Sequence, residues 1–99
     1  MPHVVWTLRA LKDARRLRAF LAEKNPQAAS RAIATIRQRA KNLADFPQSG
    51  RVVRREGPEL RELLVSFGYS AYVLRYRIEG STIAIVAVRH GRERDFIAT

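Results

Sequence analysis

Residues 62–92 read ELLVSFGYSAYVLRYRIEGSTIAIVAVRHGR, and this stretch decides the fold class because its apolar residues recur at every second position. Leu63, Val65 and Phe67 alternate with Glu62, Leu64 and Ser66, which predicts one strand, and a turn follows around Gly68. Tyr72, Leu74, Tyr76 and Ile78 then alternate with Val73, Arg75 and Arg77, a second strand with one apolar and one basic face. Glu79-Gly80-Ser81 is a tight hairpin signal. The run from Ile83 to Val88 is apolar on both faces and predicts a central, doubly covered strand, ended by Arg89-His90-Gly91-Arg92. The last residues are polar and read as a frayed end.

Toward the N-terminus the period changes to that of a helix. Residues 51–59 carry mixed charge and Gly57-Pro58, and read as an exposed loop. Before them, Phe46-Pro47-Gln48-Ser49-Gly50 stops a helix predicted from Pro26 to Asp45, whose seam is Ala29, Ile33, Ile36, Ala40 and Leu43. Asn25 supplies its cap, and Pro26 is tolerated at the first helical position, where an N–H would go unpaired anyway. An earlier helix spans Leu8–Lys24. Ala10, Leu11, Ala14, Leu17, Phe20 and Leu21 fall on one side of it, Arg9, Lys12, Arg15 and Arg16 on the other. Val4, Val5 and Trp6 form a short opening strand ahead of Thr7, a helix N-cap. The predicted order is therefore β-α-α-β-β-β: an α+β fold with a helical hairpin on one face of a small, mainly antiparallel sheet, as a single domain over 1–99.

Composition narrows the functions such a fold carries. The 99 residues contain no cysteine, so disulfide frameworks, thiolate metal sites and thiol nucleophiles are excluded. The longest purely apolar run is 83–88, whereas a transmembrane helix needs about 20 such residues. Met1-Pro2-His3-Val4 has no basic or long apolar stretch, so no secretory signal is visible and a cytoplasmic location is expected. Nineteen basic residues, sixteen of them arginine, oppose nine acidic ones for a net charge of +10. Ten of the basic residues and only three of the acidic ones lie in 1–50, so the helical half is the more cationic. A chain this basic meets an anionic partner, nucleic acid or acidic protein, unless the charge serves solubility alone.

Enzyme motifs are sparse. There is no glycine-rich phosphate loop and no GxSxG elbow, and His3 and His90 stand alone, without a metal-ligand cluster. What remains is the basic meander. Arg61, Arg77, Arg89 and His90 could stabilise a phosphate transition state and carry its proton. The competing reading makes Arg75 and Arg77 the solvated side of an amphipathic strand and His90 a structural residue. Tyr69, Tyr72 and Tyr76 could stack bases, yet Tyr72 and Tyr76 lie on the apolar strand face and fit the core better.

An ordered set of segments carries a family resemblance across nearly the whole chain. It comprises the opening strand and helix, Asn25-Pro26-Gln27-Ala28-Ala29, Leu43-Ala44-Asp45-Phe46-Pro47 running into Gly50-Arg51, Arg61-Glu62-Leu63, Tyr72-Val73-Leu74-Arg75-Tyr76 and Val88-Arg89-His90-Gly91-Arg92. These resemble the RelE/ParE toxin superfamily, the toxin halves of bacterial type II toxin–antitoxin modules, also called plasmid stabilisation proteins. The resemblance implies a cytoplasmic toxin without cofactor or metal, neutralised by a cognate antitoxin whose tail folds over it. Arg9, Lys12, Arg15, Arg16, Arg75 and Arg77 are then candidate antitoxin contacts. ParE-like members are described as inhibitors of DNA gyrase, RelE-like members as ribosome-dependent mRNA endoribonucleases. The Asn25-Pro26 joint, the Phe46-Pro47 corner and the His90-Gly91-Arg92 ending resemble the ParE-like branch. The tail offers Phe96 but no tyrosine beyond Tyr76, which also favours that branch. The alternative, RelE-like reading would place Arg61, Arg77, Arg89 and His90 in the nuclease site.

Overall fold

A computed structural model describes residues 2–91, so the readings of Arg92, Phe96 and the polar end fall outside the described residues. Strand β1 (His3–Trp6) leads into helix α1 (Leu8–Ala22) and helix α2 (Pro26–Asn42). Strands β2 (Arg51–Arg54), β3 (Glu59–Phe67), β4 (Ser70–Glu79) and β5 (Thr82–His90) follow. They form one sheet in the order β1-β5-β4-β3-β2, in which only the β1–β5 pair is parallel. The expected α+β class holds. One short strand adds to the predicted order: β2 lies in the stretch read as an exposed loop. Its register against β3 is irregular after Val52 and three of its four residues are exposed, so no alternation marks it.

Both helices begin where their capping chemistry predicts. The Thr7 hydroxyl accepts from the Ala10 N–H at 3.1 Å and donates to the Ile85 carbonyl at 3.0 Å, which ties the start of α1 to β5. Asn25 Oδ1 accepts from the Ala28 N–H at 3.0 Å, with Pro26 opening α2. α2 ends at Asn42, three residues before the predicted limit, with Arg39 and Lys41 in its last turn, where positive charge suits the helix dipole.

The predicted α2 seam is buried in full, joined by Ala32, and packs on Leu63, Val65, Tyr72, Leu74, Tyr76, Ile83, Ile85 and Val88. α1 departs from expectation. Ala10 and Leu17 are buried, but Leu11 is 41% and Phe20 57% exposed. Its inner stripe is narrower than the helical wheel suggests because α1 lies mainly against α2 and β5 among the described residues. β5 departs in another way. It is central, between β1 and β4, but the helices cover only one face. On the other, Ala84 and Ala87 are nonetheless nearly inaccessible. Their register neighbours on β4 are Arg77 and Arg75, whose long stems flank these small side chains.

Candidate functional site

The placement of the candidate residues follows from one irregularity in β5. Thr82 to Ile85 pair with Glu79 to Tyr76 in regular steps, and Ala87 to His90 pair with Arg75 to Tyr72, so Val86 is an extra residue without a partner on β4. The bulge shifts the alternation by one. Ile83 and Ile85 face the helices, and after the bulge Val88 and His90 do so, leaving Ala84, Ala87 and Arg89 on the open sheet face. The Asp13 carboxylate of α1 accepts from the Val88 N–H at 3.0 Å and also faces Arg9 at 3.8 Å.

His90 therefore sits on the helix side, its ring edge-on to Tyr72 with centroids 5.3 Å apart. Both line a groove of about 830 Å³ between the helical hairpin and the β3–β4 turn, with Leu17, Phe20 and Phe67 among its apolar lining and Arg16 and Lys24 among its basic lining. Arg77 and Arg89 lie on the opposite face of the sheet. Arg77 Nε stands 3.1 Å from Glu79, and Arg89 donates to the His90 carbonyl at 3.3 Å.

Arg61 takes a third position. It shares the helix-facing side of Tyr76 and pairs with Glu59. One guanidinium nitrogen donates to the carbonyls of Gln48 at 3.0 Å and Gly50 at 2.6 Å. Beside it the fully buried Tyr76 hydroxyl donates to the Pro47 carbonyl at 2.7 Å and accepts from the Gly50 N–H at 2.9 Å. Burial pushes the Tyr76 hydroxyl above its usual range, partly offset by the Gly50 N–H and the Arg61 charge. A Cβ at Gly50 would stand 2.7 Å from both this hydroxyl and the Glu62 carbonyl, so the corner closes only around glycine. Arg61 and Tyr76 thus fasten the corner 47–50 to the sheet. The core role expected of Tyr72 and Tyr76 holds, while Tyr69 is fully exposed at the turn.

Arg75 is ordered by a partner that sequence reasoning mentioned but did not use. Glu62, only 7% exposed, receives two bonds from Arg75, at 2.6 and 3.0 Å, and one from Arg51 at 2.9 Å. The carboxylate neutralises part of the basic face and holds Arg75 flat on it. The six candidate contacts consequently divide between two surfaces. Arg75 and Arg77 lie on the open sheet face, while Arg9, Lys12, Arg15 and Arg16 belong to α1 on the other side. Arg16 alone of these lines the groove. Among the described residues no group of three or more histidines and carboxylates could hold a metal ion, and no helix is long and apolar enough to cross a membrane.

Comparison with known proteins completes this picture. Residues 4–95 match the ParE toxin family of the type II toxin–antitoxin system, parDE. Toxin RelE1 of Caulobacter vibrioides is 38% identical over 92% of this chain and 95% of its own length. Toxin RelE3 of the same organism is 43% identical over 87% of this chain and 90% of its own. Among solved structures, a chain of the chromosomal ParDE system from P. aeruginosa superposes with a TM-score of 0.71 at 22% identity, covering 91% of this chain and 96% of that one. A chain of the RelBE2 toxin–antitoxin complex from Mycobacterium tuberculosis gives 0.60 at 28% identity, covering 91% and 99%. The sheet order, the helical hairpin and the ordered motifs therefore have a common origin: the chain belongs to the ParE toxin family of type II toxin–antitoxin systems.

Proposed function

We propose that this chain is a cytoplasmic, single-domain growth-arresting toxin, held inactive by a cognate antitoxin, that acts by inhibiting DNA gyrase and not by cutting RNA. The observation that carries the reading is the separation of the would-be nuclease residues. His90 lies in the groove on the helix side, Arg77 and Arg89 lie on the open face, and Arg61 holds backbone carbonyls of the 47–50 corner. A proton carrier must come within hydrogen-bond reach of the phosphate that the cations stabilise; here the sheet stands between His90 and both Arg77 and Arg89, and Arg61 is engaged at the corner. Support for the antitoxin comes from the +10 charge and from the largely apolar groove lined also by Arg16 and Lys24, which suit an acidic, amphipathic segment that folds on binding. The RelBE2 neighbour was solved as a toxin–antitoxin complex.

Expression without the antitoxin tests the target. Relaxed plasmid DNA with intact transcripts is the expected result; normal supercoiling with rapid transcript cleavage would overturn the gyrase assignment. A second reading, a ribosome-dependent mRNA endoribonuclease, draws on Arg75, Arg77 and Arg89 sharing one open face. It requires new transcript ends after induction and loss of cutting in Arg77→Ala or Arg89→Ala.

A further inference from the structure

Arginines from three strands gather on the sheet face that the helices leave open, and strand register sets them in rows. In one row Arg51 of β2, Glu62 of β3 and Arg75 of β4 lie side by side and end on Ala87 of β5. The next joins Arg54, Leu60, Arg77 and Ala84, and another runs from Leu64 through Val73 to Arg89. Neighbouring strands stand about 4.8 Å apart and alternate residues along a strand about 7 Å, so these arginines rise from an area about 14 Å on a side.

Two carboxylates share the face without cancelling it. Glu62 is only 7% exposed and lies between Arg51 and Arg75, while Glu79 sits at the end of β4 beside Arg77. The Arg51 side chain stays 76% exposed, and those of Arg75 and Arg77 stay partly exposed above these acids. Guanidinium groups held in this way lose little further freedom on meeting a ligand.

The composition of the face discriminates among anionic ligands. Its floor between the arginines is Ala84 and Ala87, and the aromatic rings of the strands, Trp6, Phe67, Tyr72 and Tyr76, all turn to the core. An acidic protein surface is gripped at large apolar or aromatic anchors, which the centre of this face lacks; exposed Leu64 lies at its β3 margin. Single-stranded nucleic acid is held by stacking its bases on aromatic rings, which are missing here as well. The backbone of a duplex needs ordered cations over a shallow floor and no stacking partner.

We propose that the open sheet face binds the phosphate backbone of duplex DNA without regard to sequence. Duplex DNA carries about one charge per 1.7 Å of its axis, so a patch about 14 Å across meets more phosphates than it has arginines. The arginines therefore limit the contacts to about three to five. The proposal deepens the gyrase reading, on which it rests for its setting: the DNA concerned is the segment that gyrase holds.

Fluorescence anisotropy of the full chain, without antitoxin, tests it on short DNA duplexes of two unrelated sequences and on a single-stranded RNA of equal length, over a series of salt concentrations. Both duplexes bind alike and more tightly than the RNA, and log K falls linearly with log salt at a slope of about −3 to −4.5. Arg54→Gln and Arg77→Gln each flatten that slope by about 1 on both duplexes. Arg37→Gln, the same change of charge at an exposed position of α2, leaves it unaltered. An equal effect of Arg37→Gln and Arg54→Gln would assign the binding to overall charge and overturn the proposal. Tighter binding of the RNA, or no binding of either duplex, would overturn it too. Arg54 is exposed, so its variant decides should Arg77→Gln not fold. Gyrase is absent from the measurement, so failure here leaves the gyrase reading standing. Duplex binding by a chain that leaves plasmid supercoiling normal would uphold the DNA face and remove the gyrase reading.

Discussion

Replacing Tyr76 by phenylalanine tests whether the 47–50 corner is held as described. The substitution keeps the ring, the largest fully buried side chain, and deletes only the hydroxyl. Two hydrogen bonds disappear, to the Pro47 carbonyl at 2.7 Å and from the Gly50 N–H at 2.9 Å. Losing the first costs about 1 kcal/mol, and leaving the buried Gly50 N–H without an acceptor adds about 1–2 kcal/mol, for a total of about 2–3 kcal/mol. In a domain of this size each kcal/mol moves the midpoint by about 4–8 °C, so thermal unfolding followed by circular dichroism should fall by about 10–20 °C. The pH profile supplies a second readout. Burial raises the Tyr76 pKa above 10.0, so the unfolded chain ionises first as pH climbs. The contribution of Tyr76 is complete below its unfolded value and is lost as pH rises toward the folded one. Wild-type stability should therefore drop more steeply above about pH 10 than that of Tyr76→Phe. A midpoint change under about 3 °C, with parallel alkaline profiles, would refute the account, because water would then be replacing the hydroxyl.

Substitutions at three further positions probe the other anchors. Glu62→Gln leaves Arg75 and Arg51 beside a neutral group; with Arg51 largely in water the loss is about 2–3 kcal/mol, below the range for a fully buried pair, and urea unfolding measures it. Gly50→Ala forces a methyl group to within 2.7 Å of the Tyr76 hydroxyl and the Glu62 carbonyl, and the overpacking costs about 1–3 kcal/mol by the same assay. Asp13→Ala strips the Val88 N–H of its acceptor at the bulge, which costs about 1–3 kcal/mol and speeds exchange of that amide, whereas Asp13→Asn retains an acceptor oxygen and most of the protection.

Local chemistry made the elements legible, and register made the site illegible. Thr7, Asn25 and Pro26 announce the helix starts because caps and a missing N–H act within one turn. The 4-3-4-3 seam of α2 and the alternation in β4 are equally local. The bulge at Val86 leaves no trace in an unbroken apolar run, yet it decides that His90, and not Arg89, faces the helices. β2 escapes notice because four mostly exposed residues, two of them arginine, carry no period to read. Which arginine meets which acid is likewise set by pairing across strands. Arg75 stands two positions from Arg77 in sequence, but only Arg75 lies opposite Glu62. Arg61, read as a candidate for chemistry, has carbonyl partners 11 and 13 residues away that no motif encodes.

The parallel pairing of β1 with β5 has a consequence for how the protein is made. His3 lies opposite Thr82, and the hydroxyl that caps α1 donates to Ile85, 78 residues downstream. A growing chain emerges N-terminus first, at about 5–20 residues per second. Its first strand therefore waits until residues 82–85 have been made before the strand that pairs with it among the described residues exists, and closing so long a loop slows folding. Prematurely terminated products that lack β5 leave β1 unpaired and the start of α1 without its tether. A toxin built this way does not complete its sheet until β5 has been synthesised, and the β1–β5 pairing is the step that joins its first strand to the rest.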